Sequence, residues 1–245
     1  YAPGELPVLL AAHVDTVHKS PPRDIFFDSD HRVVWSPQGI GGDDRAGVIA
    51  ILEILKTHRP HVLFCDLEES FCVGAIEAAE KIKPKVDYVI GLDRANGKDA
   101  VFYDCDNKDF TKFVLQFGFK ENMGSFSDIS FLCPAWKVAG VNLSVGYYHA
   151  HQSTEYVKLD EIMNTVYRVR NMLDSPTKKF KYIEAKFDKW GWADIYHNFK
   201  SKFNKLPGNY PNKYSKHTTL DYDGELGYGD EDDFPTYTEL VTCKN

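Results

Sequence analysis

The chain has 245 residues, of which 43% are hydrophobic and 27% are charged, and its formal net charge is −7 at pH 7. This length and composition fit one sizeable α/β domain, or one domain with an appendage. The negative balance argues against nucleic acid or an anionic membrane surface as the main partner. Because the sequence has no apolar run near the length of a bilayer span and no signal-like start, we expect a soluble, cytoplasmic protein.

The cysteines are interpreted as free thiols in a reducing compartment. They are odd in number and widely spread: Cys65, Cys72, Cys105, Cys133 and Cys243. Such a set is not the pattern of a disulfide framework. Because no two of them form a CxxC pair, a zinc site made of thiolates is not expected.

The first predicted strand is the nearly continuous apolar run over residues 6–12, which is typical of a strand buried on both faces of a parallel sheet. His13 and Asp15 follow at its carboxyl end, where ligands gather in open α/β sheets. Strand alternation places both side chains on one face, so Asp15 can accept a hydrogen bond from the imidazole, as partners of metal-bound histidines do. An exposed histidine beside an aspartate is the alternative interpretation of this fragment.

A glycine-rich turn at residues 39–47 contains Asp43 and Asp44 and leads into a helix predicted over residues 45–58. Glycines allow positive φ angles and close approach, and either carboxylate can cap the helix. A plain helix start with a solvated acid pair is the alternative interpretation. Apolar residues at helical spacing are predicted to face the core: Val48, Ile51, Leu52 and Leu55.

Two further buried strands are predicted over residues 61–66 and 87–92, and each is followed by acidic residues. Glu68 and Glu69 follow the first of these strands, and Asp93 follows the second. Adjacent glutamates point in different directions, so one can bind a metal while the other faces a substrate water. A surface acid pair ahead of a helix is the alternative.

The other elements are predicted from their apolar patterns. They are a hairpin around residues 28–35, helices over residues 75–82 and 159–173, and strands over residues 101–103, 110–117 and 139–145. The methionines of the last helix are interpreted as core residues, and the turn at residues 123–128 as a possible pocket wall. Together these elements predict a three-layer α/β domain, an αβα sandwich with a mixed, mainly parallel sheet, over residues 1–174.

The composition changes from about Ser175. Lysines and aromatic residues dominate first, with Trp190 and Trp192 expected to pack on the main domain, and an acidic tail follows at residues 221–233. We expect residues 175–245 to form an extension that packs on the domain or is partly irregular.

Potential metal ligands stand at the ends of successive strands and on the glycine turn: His13, Asp43, Glu69, Asp93 and His151. Nitrogen and carboxylate ligands without thiolates suit a pair of divalent ions such as zinc. A bridging carboxylate is expected, because two ions about 3.5–4 Å apart repel each other and a shared anion offsets this repulsion.

Five motifs, in order along the chain, resemble those of the co-catalytic dizinc exopeptidases: HVDTV at His13, GGDDRAG at Gly41, EES at Glu68, LDRA at Leu92 and YHAHQSTE at Tyr148. This clan holds peptidase T with the zinc carboxypeptidases, the glutamyl aminopeptidases, and the compact bacterial aminopeptidases. The match covers roughly residues 6–173. As a set the motifs are specific, although each one alone is weak.

The resemblance implies a pair of zinc ions with Asp43 between them. One ion would also take His13 and Asp93, and the other would take Glu69 and His151. Asp15 would orient His13. Glu68 would be the general base that takes a proton from the attacking water and returns it to the leaving amine.

Two choices between neighbours also depend on the resemblance. Asp43 is preferred to Asp44 because it stands in the family position directly before D-R-A-G. His151 is preferred to His149 because it precedes Glu155 by four residues, as in the H-x-x-x-E ending of the family.

The implied activity is hydrolysis of a peptide bond near a chain end, and we expect an aminopeptidase acting on short peptides. About 58 residues separate Asp93 from His151, and 30 separate His13 from Asp43, so the lid and dimerisation insertion of related enzymes does not fit in either interval. That lid commonly supplies groups that bind a substrate carboxylate, which disfavours a carboxypeptidase.

Two alternatives stay open. An N-acyl amino acid deacylase or carboxypeptidase would need a cation for the substrate carboxylate, and Arg45 and Arg94 are the nearest in sequence. A binding protein without activity on a peptidase scaffold is the second alternative, since a fold does not guarantee a function. Against it, Glu68 has a use only in catalysis.

Overall fold

A computed structural model describes residues 1–176 and 178–185 of the chain. In chain order these residues form β1 (Leu6–His13), β2 (Phe26–Asp28), β3 (Val33–Trp35), α1 (Gly42–Ile54), β4 (Pro60–Cys65), α2 (Val73–Lys81), β5 (Tyr88–Arg94), β6 (Asp99–Val101), α3 (Lys108–Leu115), β7 (Lys120–Glu121), α4 (Asp128–Trp136), β8 (Gly140–Ser144), β9 (Tyr147–Tyr148), β10 (Tyr156–Lys158) and α5 (Leu159–Asp174). Trp190, Trp192 and the acidic tail lie outside the described residues, as does most of the predicted extension.

The main sheet has six strands in the order β4-β1-β5-β8-β6-β7. Strands β4, β1, β5 and β8 are parallel, whereas β6 runs antiparallel to β8. The predicted mixed, mainly parallel sheet is therefore confirmed. The four parallel strands follow the apolar runs in the sequence, because a strand covered on both faces needs apolar side chains at every position.

Helices cover both faces of this sheet. Side chains of β1 alternate between two core clusters: Leu10 packs with α1, α3 and α5 on one face, and Leu9 packs with α2 and α4 on the other. The result is the three-layer α/β sandwich that the sequence predicts. No helix among residues 1–176 and 178–185 has the length and apolar character that crossing a bilayer requires.

A smaller antiparallel sheet has the order β2-β3-β10-β9. Its β2 and β3 form the hairpin predicted around residues 28–35. The pairing of β10 with β3 and β9 was not predicted, because these strands have only three and two residues. This sheet connects the hairpin to the loop that carries His151.

The prediction of a strand over residues 110–117 was wrong, because residues 110–115 belong to helix α3 and the last two residues lie in the turn after it. The Asn107 side chain accepts a hydrogen bond from the Phe110 N–H at 3.0 Å and caps the helix. Phe110 and Val114, four residues apart, are fully buried on one helix face. Their aromatic and β-branched character favours a strand, but their spacing and the cap decide for a helix.

Helix α4 was not predicted. Ser127 precedes it, and the Ser127 N–H donates to Ser130 Oγ at 3.1 Å, which is half of a capping box. The serines and Pro134 hide the helical pattern in the sequence. The strand predicted over residues 101–103 overlaps β6 only at Val101.

Two predicted core positions are on the surface. Leu52 of α1 is 51% exposed, and Met163 of α5 is 42% exposed. Helix α1 buries the predicted Ile51 together with Ala50 and Ile54, and the small side chain of Ala50 lets the helix lie close to the sheet.

The described start of the extension contacts the domain. Phe180 is buried in the core, and Lys181 and Glu184 form isolated β-bridges with Val138 and Cys105. The predicted free thiols are confirmed for the four described cysteines, all of them buried: Cys65, Cys72, Cys105 and Cys133.

Candidate metal centre

The predicted site residues meet at the carboxyl edge of the main sheet. His13 ends β1, Asp93 is the penultimate residue of strand β5, and Glu69 follows β4. Asp43 comes from the start of α1, and His151 from the loop between β9 and β10. Parallel strands direct their carboxyl ends to one edge, so these distant segments converge there.

Asp43 lies between the two histidines. Its Oδ1 is 3.1 Å from His13 Nε2, and its Oδ2 is 3.3 Å from His151 Nε2. Each carboxylate oxygen therefore faces a different histidine. This is the arrangement that a carboxylate bridging two cations requires.

Each histidine has a second carboxylate beside it. His13 Nε2 is 3.5 Å from Asp93 Oδ1, and His151 Nε2 is 3.1 Å from Glu69 Oε2. Ligand atoms of His13, Asp43 and Glu69 all lie within 4.8 Å of one another, and the same holds for His13, Asp44 and Asp93. In the described part of the chain, Glu69 Oε1 is buried without a hydrogen-bond partner. An unpaired buried carboxylate oxygen fits a cation that completes its coordination.

The electrostatics of the cluster also favour a cation. Burial alone would lower the pKa of His13, but hydrogen bonds with three surrounding carboxylates raise it far above its ordinary value. The pKa of His151 is raised to about 10: burial opposes this, and Asp43 and Glu69 cause it. Carboxylates that hold protons on two histidines so firmly offer the same negative charge to divalent ions, which compete with those protons.

Asp15 contacts both His13 and the loop after β4. His13 Nδ1 is 3.1 Å from the backbone oxygen of Asp15 and 3.4 Å from its Oδ1. The Asp15 carboxylate also accepts the N–H groups of Glu68 at 3.1 Å and Glu69 at 3.2 Å. A proton on Nδ1 is therefore directed to Asp15, which leaves Nε2 free to face the cluster.

Asp44 has a structural position. Its side chain is fully buried, with Oδ2 accepting the His13 N–H at 3.3 Å and Oδ1 accepting the Gly47 N–H at 3.0 Å. The peptide bond between Asp43 and Asp44 is cis. A Cβ at Gly47 would lie 1.8 Å from the Leu92 oxygen, so only glycine allows this approach of α1 to β5. The capping role that the sequence left open between the two acids belongs to Asp44.

Glu68 lies beside the cluster without a close histidine. Its Oε2 is 4.0 Å from His13 Nε2, and its Oε1 accepts a hydrogen bond from the Cys72 thiol at 3.5 Å. Burial raises the pKa of the Glu68 carboxyl well above its ordinary value, and the charge of Asp93 adds to the shift. A carboxylate whose proton affinity is raised is suited to accept a proton.

Sequence reasoning missed the residues that hold Asp93. The Asn142 side chain accepts the Asp93 N–H at 3.0 Å and donates to the Asp93 backbone oxygen at 2.9 Å. Tyr147 Oη lies 3.3 Å from Asp93 Oδ1. A polar asparagine inside the otherwise apolar strand β8 is the signal that could have revealed this contact.

Asp128, at the start of α4, is a buried acid behind the centre. Its Oδ1 has no hydrogen-bond partner within the described residues. Burial raises the pKa of this carboxyl to about 7, and the charge of Asp93 contributes to the shift. Because the folded-state pKa is raised, the native protein holds this proton from about pH 4 to pH 7, where the unfolded chain has lost it.

We therefore expect the free energy of unfolding of the metal-free protein to fall as the pH rises from 4 to 7. In Asp128→Asn this fall should be smaller, by at most about 4 kcal/mol. Urea unfolding at a series of pH values measures the difference in slope. Asp109→Asn is the control, because Lys178 lowers the pKa of that exposed carboxyl. Equal slopes for wild type and Asp128→Asn would contradict the expectation.

Comparison with solved structures identifies the class of fold. Aminopeptidase PepT from Bacillus cereus is similar over 68% of this chain and 79% of its own, with 14% identity and a TM-score of 0.58. A tripeptidase from Staphylococcus aureus is similar over 69% of this chain and 80% of its own, with 14% identity and a TM-score of 0.57. The TET1 peptidase from Pyrococcus horikoshii is similar over 70% of this chain and 84% of its own, with 15% identity and a TM-score of 0.53.

No family model matches the sequence, and no curated protein matches it. The similarity to solved structures shows that the chain has the α/β fold of these peptidases. Because the identities are only 14–15%, the similarity establishes the fold alone.

Proposed function

We propose that this protein is a metal-dependent exopeptidase with two divalent ions, and that it acts as an aminopeptidase on short peptides. The observation that carries the proposal is the position of Asp43, whose two oxygens lie 3.1 and 3.3 Å from the Nε2 atoms of His13 and His151. The fold shared with known peptidases supports the same conclusion.

The donor set fits zinc, because it combines imidazole nitrogens with carboxylate oxygens and contains no thiolate. His13 and Asp93 would hold one ion, Glu69 and His151 the other, and Asp43 would serve both. When bound, the ions supply Lewis-acid polarisation of a carbonyl and lower the pKa of a water toward neutrality.

Residues of the chain would transfer the proton and position the reacting groups. Glu68 takes a proton from the attacking water and returns it to the leaving amine, because the other carboxylates that are not needed as ligands, Asp15 and Asp44, accept backbone N–H groups. Asp15 holds the His13 ring and the backbone of Glu68 and Glu69 in one arrangement. The general base and a ligand histidine are thereby kept in a constant relative position.

A specific observation keeps the deacylase or carboxypeptidase as a second candidate. Arg45 is committed to its own turn, since its Nη1 donates to the Ile40 carbonyl at 2.9 Å. Arg94 directly follows Asp93 and is half-buried, and among the residues described its Nε has no hydrogen-bond partner and lies 3.9 Å from Asp99 Oδ2. This unpaired guanidinium N–H is one residue from Asp93 in the sequence, and a guanidinium is the group that this candidate needs to bind a substrate carboxylate.

The proposal is tested by metal content and a substrate panel. Protein purified without chelator, dialysed against zinc and then against metal-free buffer, is expected to retain about two ions per chain by mass spectrometry. It should then cleave di- and tripeptides with a free amino terminus and leave N-acetylated ones intact. Well-folded protein without bound metal would contradict the proposal and favour the non-enzymatic binding protein.

The panel also separates the two enzyme candidates. If N-acyl amino acids are the substrates, Arg94→Gln should raise KM for them about tenfold or more, because a charge-assisted contact is lost. Arg32→Gln is the matched control, since Arg32 pairs with Asp160 on the surface. Preferred cleavage of N-acyl substrates with that KM effect would replace the aminopeptidase by the deacylase.

A further inference from the structure

We propose that Glu155 is a positioning residue that joins the glycine turn of Asp43 to the loop of His151, and that His18 holds Glu155 in place. This inference rests on the proposed function, since it concerns the geometry of two bound ions. Neither Glu155 nor His18 is among the residues assigned above to the ions or to the reaction.

Both oxygens of Glu155 contact the glycine turn. Oε1 accepts the Asp43 N–H at 2.9 Å, and Oε2 accepts the Gly41 N–H at 2.6 Å. Glu155 is completely buried. A buried carboxylate is stable only where its lone pairs are satisfied, so these two N–H groups and the carboxylate fix one another.

His18 supplies a third contact from the loop after β1. Its Nε2 lies 3.1 Å from Glu155 Oε2. The ring also packs tightly on the turn, because a Cβ at Gly39 would lie 2.1 Å from His18 Cε1. Gly39 has a φ of 81°, so both its backbone conformation and its contact with His18 require glycine.

The three connected segments each carry a proposed ligand. His18 follows His13 on the loop after β1, the turn carries Asp43, and Glu155 follows His151 by four residues. The Glu155 N–H also donates to the Gln152 oxygen at 3.0 Å, which closes the His151 loop. Displacing the turn would change the distances from Asp43 to both histidines, and metal sites are sensitive to such shifts in their supporting contacts.

A role confined to loop stability predicts a different result. Loss of such a contact would lower the melting temperature of the metal-free protein and leave zinc affinity unchanged. A positioning role predicts weaker zinc binding even where the metal-free protein melts as wild type does. Metal affinity, measured separately from activity, distinguishes the two roles.

The experiment measures zinc stoichiometry and dissociation constants by competition with a chromophoric chelator, together with melting of the metal-free proteins. We expect Glu155→Gln and His18→Ala to weaken zinc binding about 10- to 100-fold, as loss of contacts that support ligands does. His18→Gln should recover most of the affinity, because its amide can place a donor near the same carboxylate oxygen. If Glu155→Gln does not fold, the zinc dissociation constants of His18→Ala and His18→Gln are the test of the proposal.

His58→Ala is the matched control. His58 Nε2 lies 3.0 Å from Asp174 Oδ1, and the His58 side chain is 13% exposed. The corresponding values for His18 are a distance of 3.1 Å to Glu155 Oε2 and an exposure of 14%. This variant should bind two zinc ions with wild-type affinity. If His18→Ala does the same, the positioning role is overturned while the dinuclear site stands. Wild-type protein that binds no zinc would overturn both the proposed function and this inference.

Discussion

Glu68→Gln is expected to lower turnover by about 10²- to 10⁴-fold, the usual cost of removing a general base. Glutamine has nearly the same shape but cannot accept the proton of the attacking water. Since Glu68 Oε2 lies 4.0 Å from His13 Nε2, its replacement leaves the ligand contacts unchanged. The variant should therefore retain about two ions per chain, and kcat should fall much more than KM rises.

Glu69→Gln is the matched comparison for this result. Glu69 Oε2 is 3.1 Å from His151 Nε2, so its replacement should release an ion as well as reduce activity. Metal content therefore separates a lost base from a lost ligand. Near-normal turnover by Glu68→Gln would exclude Glu68 as the base and leave the metal assignments intact.

Asp43→Ala is expected to reduce the bound metal from about two ions to about one or fewer, and to abolish detectable hydrolysis. Asp43 is the residue whose oxygens face both histidines, so on the proposed function its loss would remove a ligand from each ion and the negative charge between them. Mass spectrometry of metal content and a peptide hydrolysis assay on the same preparation measure both effects.

Asp109→Ala is the control for Asp43→Ala, because Asp109 is also an acid in the first turn of a helix but is exposed and pairs with Lys178. It should keep both ions. Circular dichroism establishes that the Asp43 variant is folded. Two ions retained with wild-type affinity in folded Asp43→Ala would show that Asp43 does not bridge them.

The four parallel strands of the main sheet could be predicted from sequence because they are buried on both faces. Such strands read as continuous apolar runs, as in β1, where Leu9 and Leu10 belong to opposite core clusters. Helices α3 and α4 could not be read in the same way. In α3, Phe110 and Val114 have strand-forming character, but the Asn107 cap and the burial of both residues on one helix face decide for a helix.

The candidate ligands could be named from sequence because they are histidines and acids that follow predicted strands or stand on the glycine turn. The choice between the neighbours Asp43 and Asp44 could be made only by resemblance. In the structure, Asp44 turns back to the N–H groups of His13 and Gly47, and Asp43 is left facing the histidines. The two side chains point in different directions because of the local backbone conformation. Two adjacent aspartates in a sequence do not show which of them points toward the histidines.

The sequence by itself determined a parallel α/β sheet and the acids and histidines at its carboxyl edge, because both follow from local apolar runs and their ends. The tertiary structure decided which carboxylate lies between the histidines and what supports it. The contacts of Glu155 with Asp43, Gly41 and His18 span 112, 114 and 137 residues. Such contacts form only when distant loops close on one another and bury their polar groups together, and no local periodicity reports them.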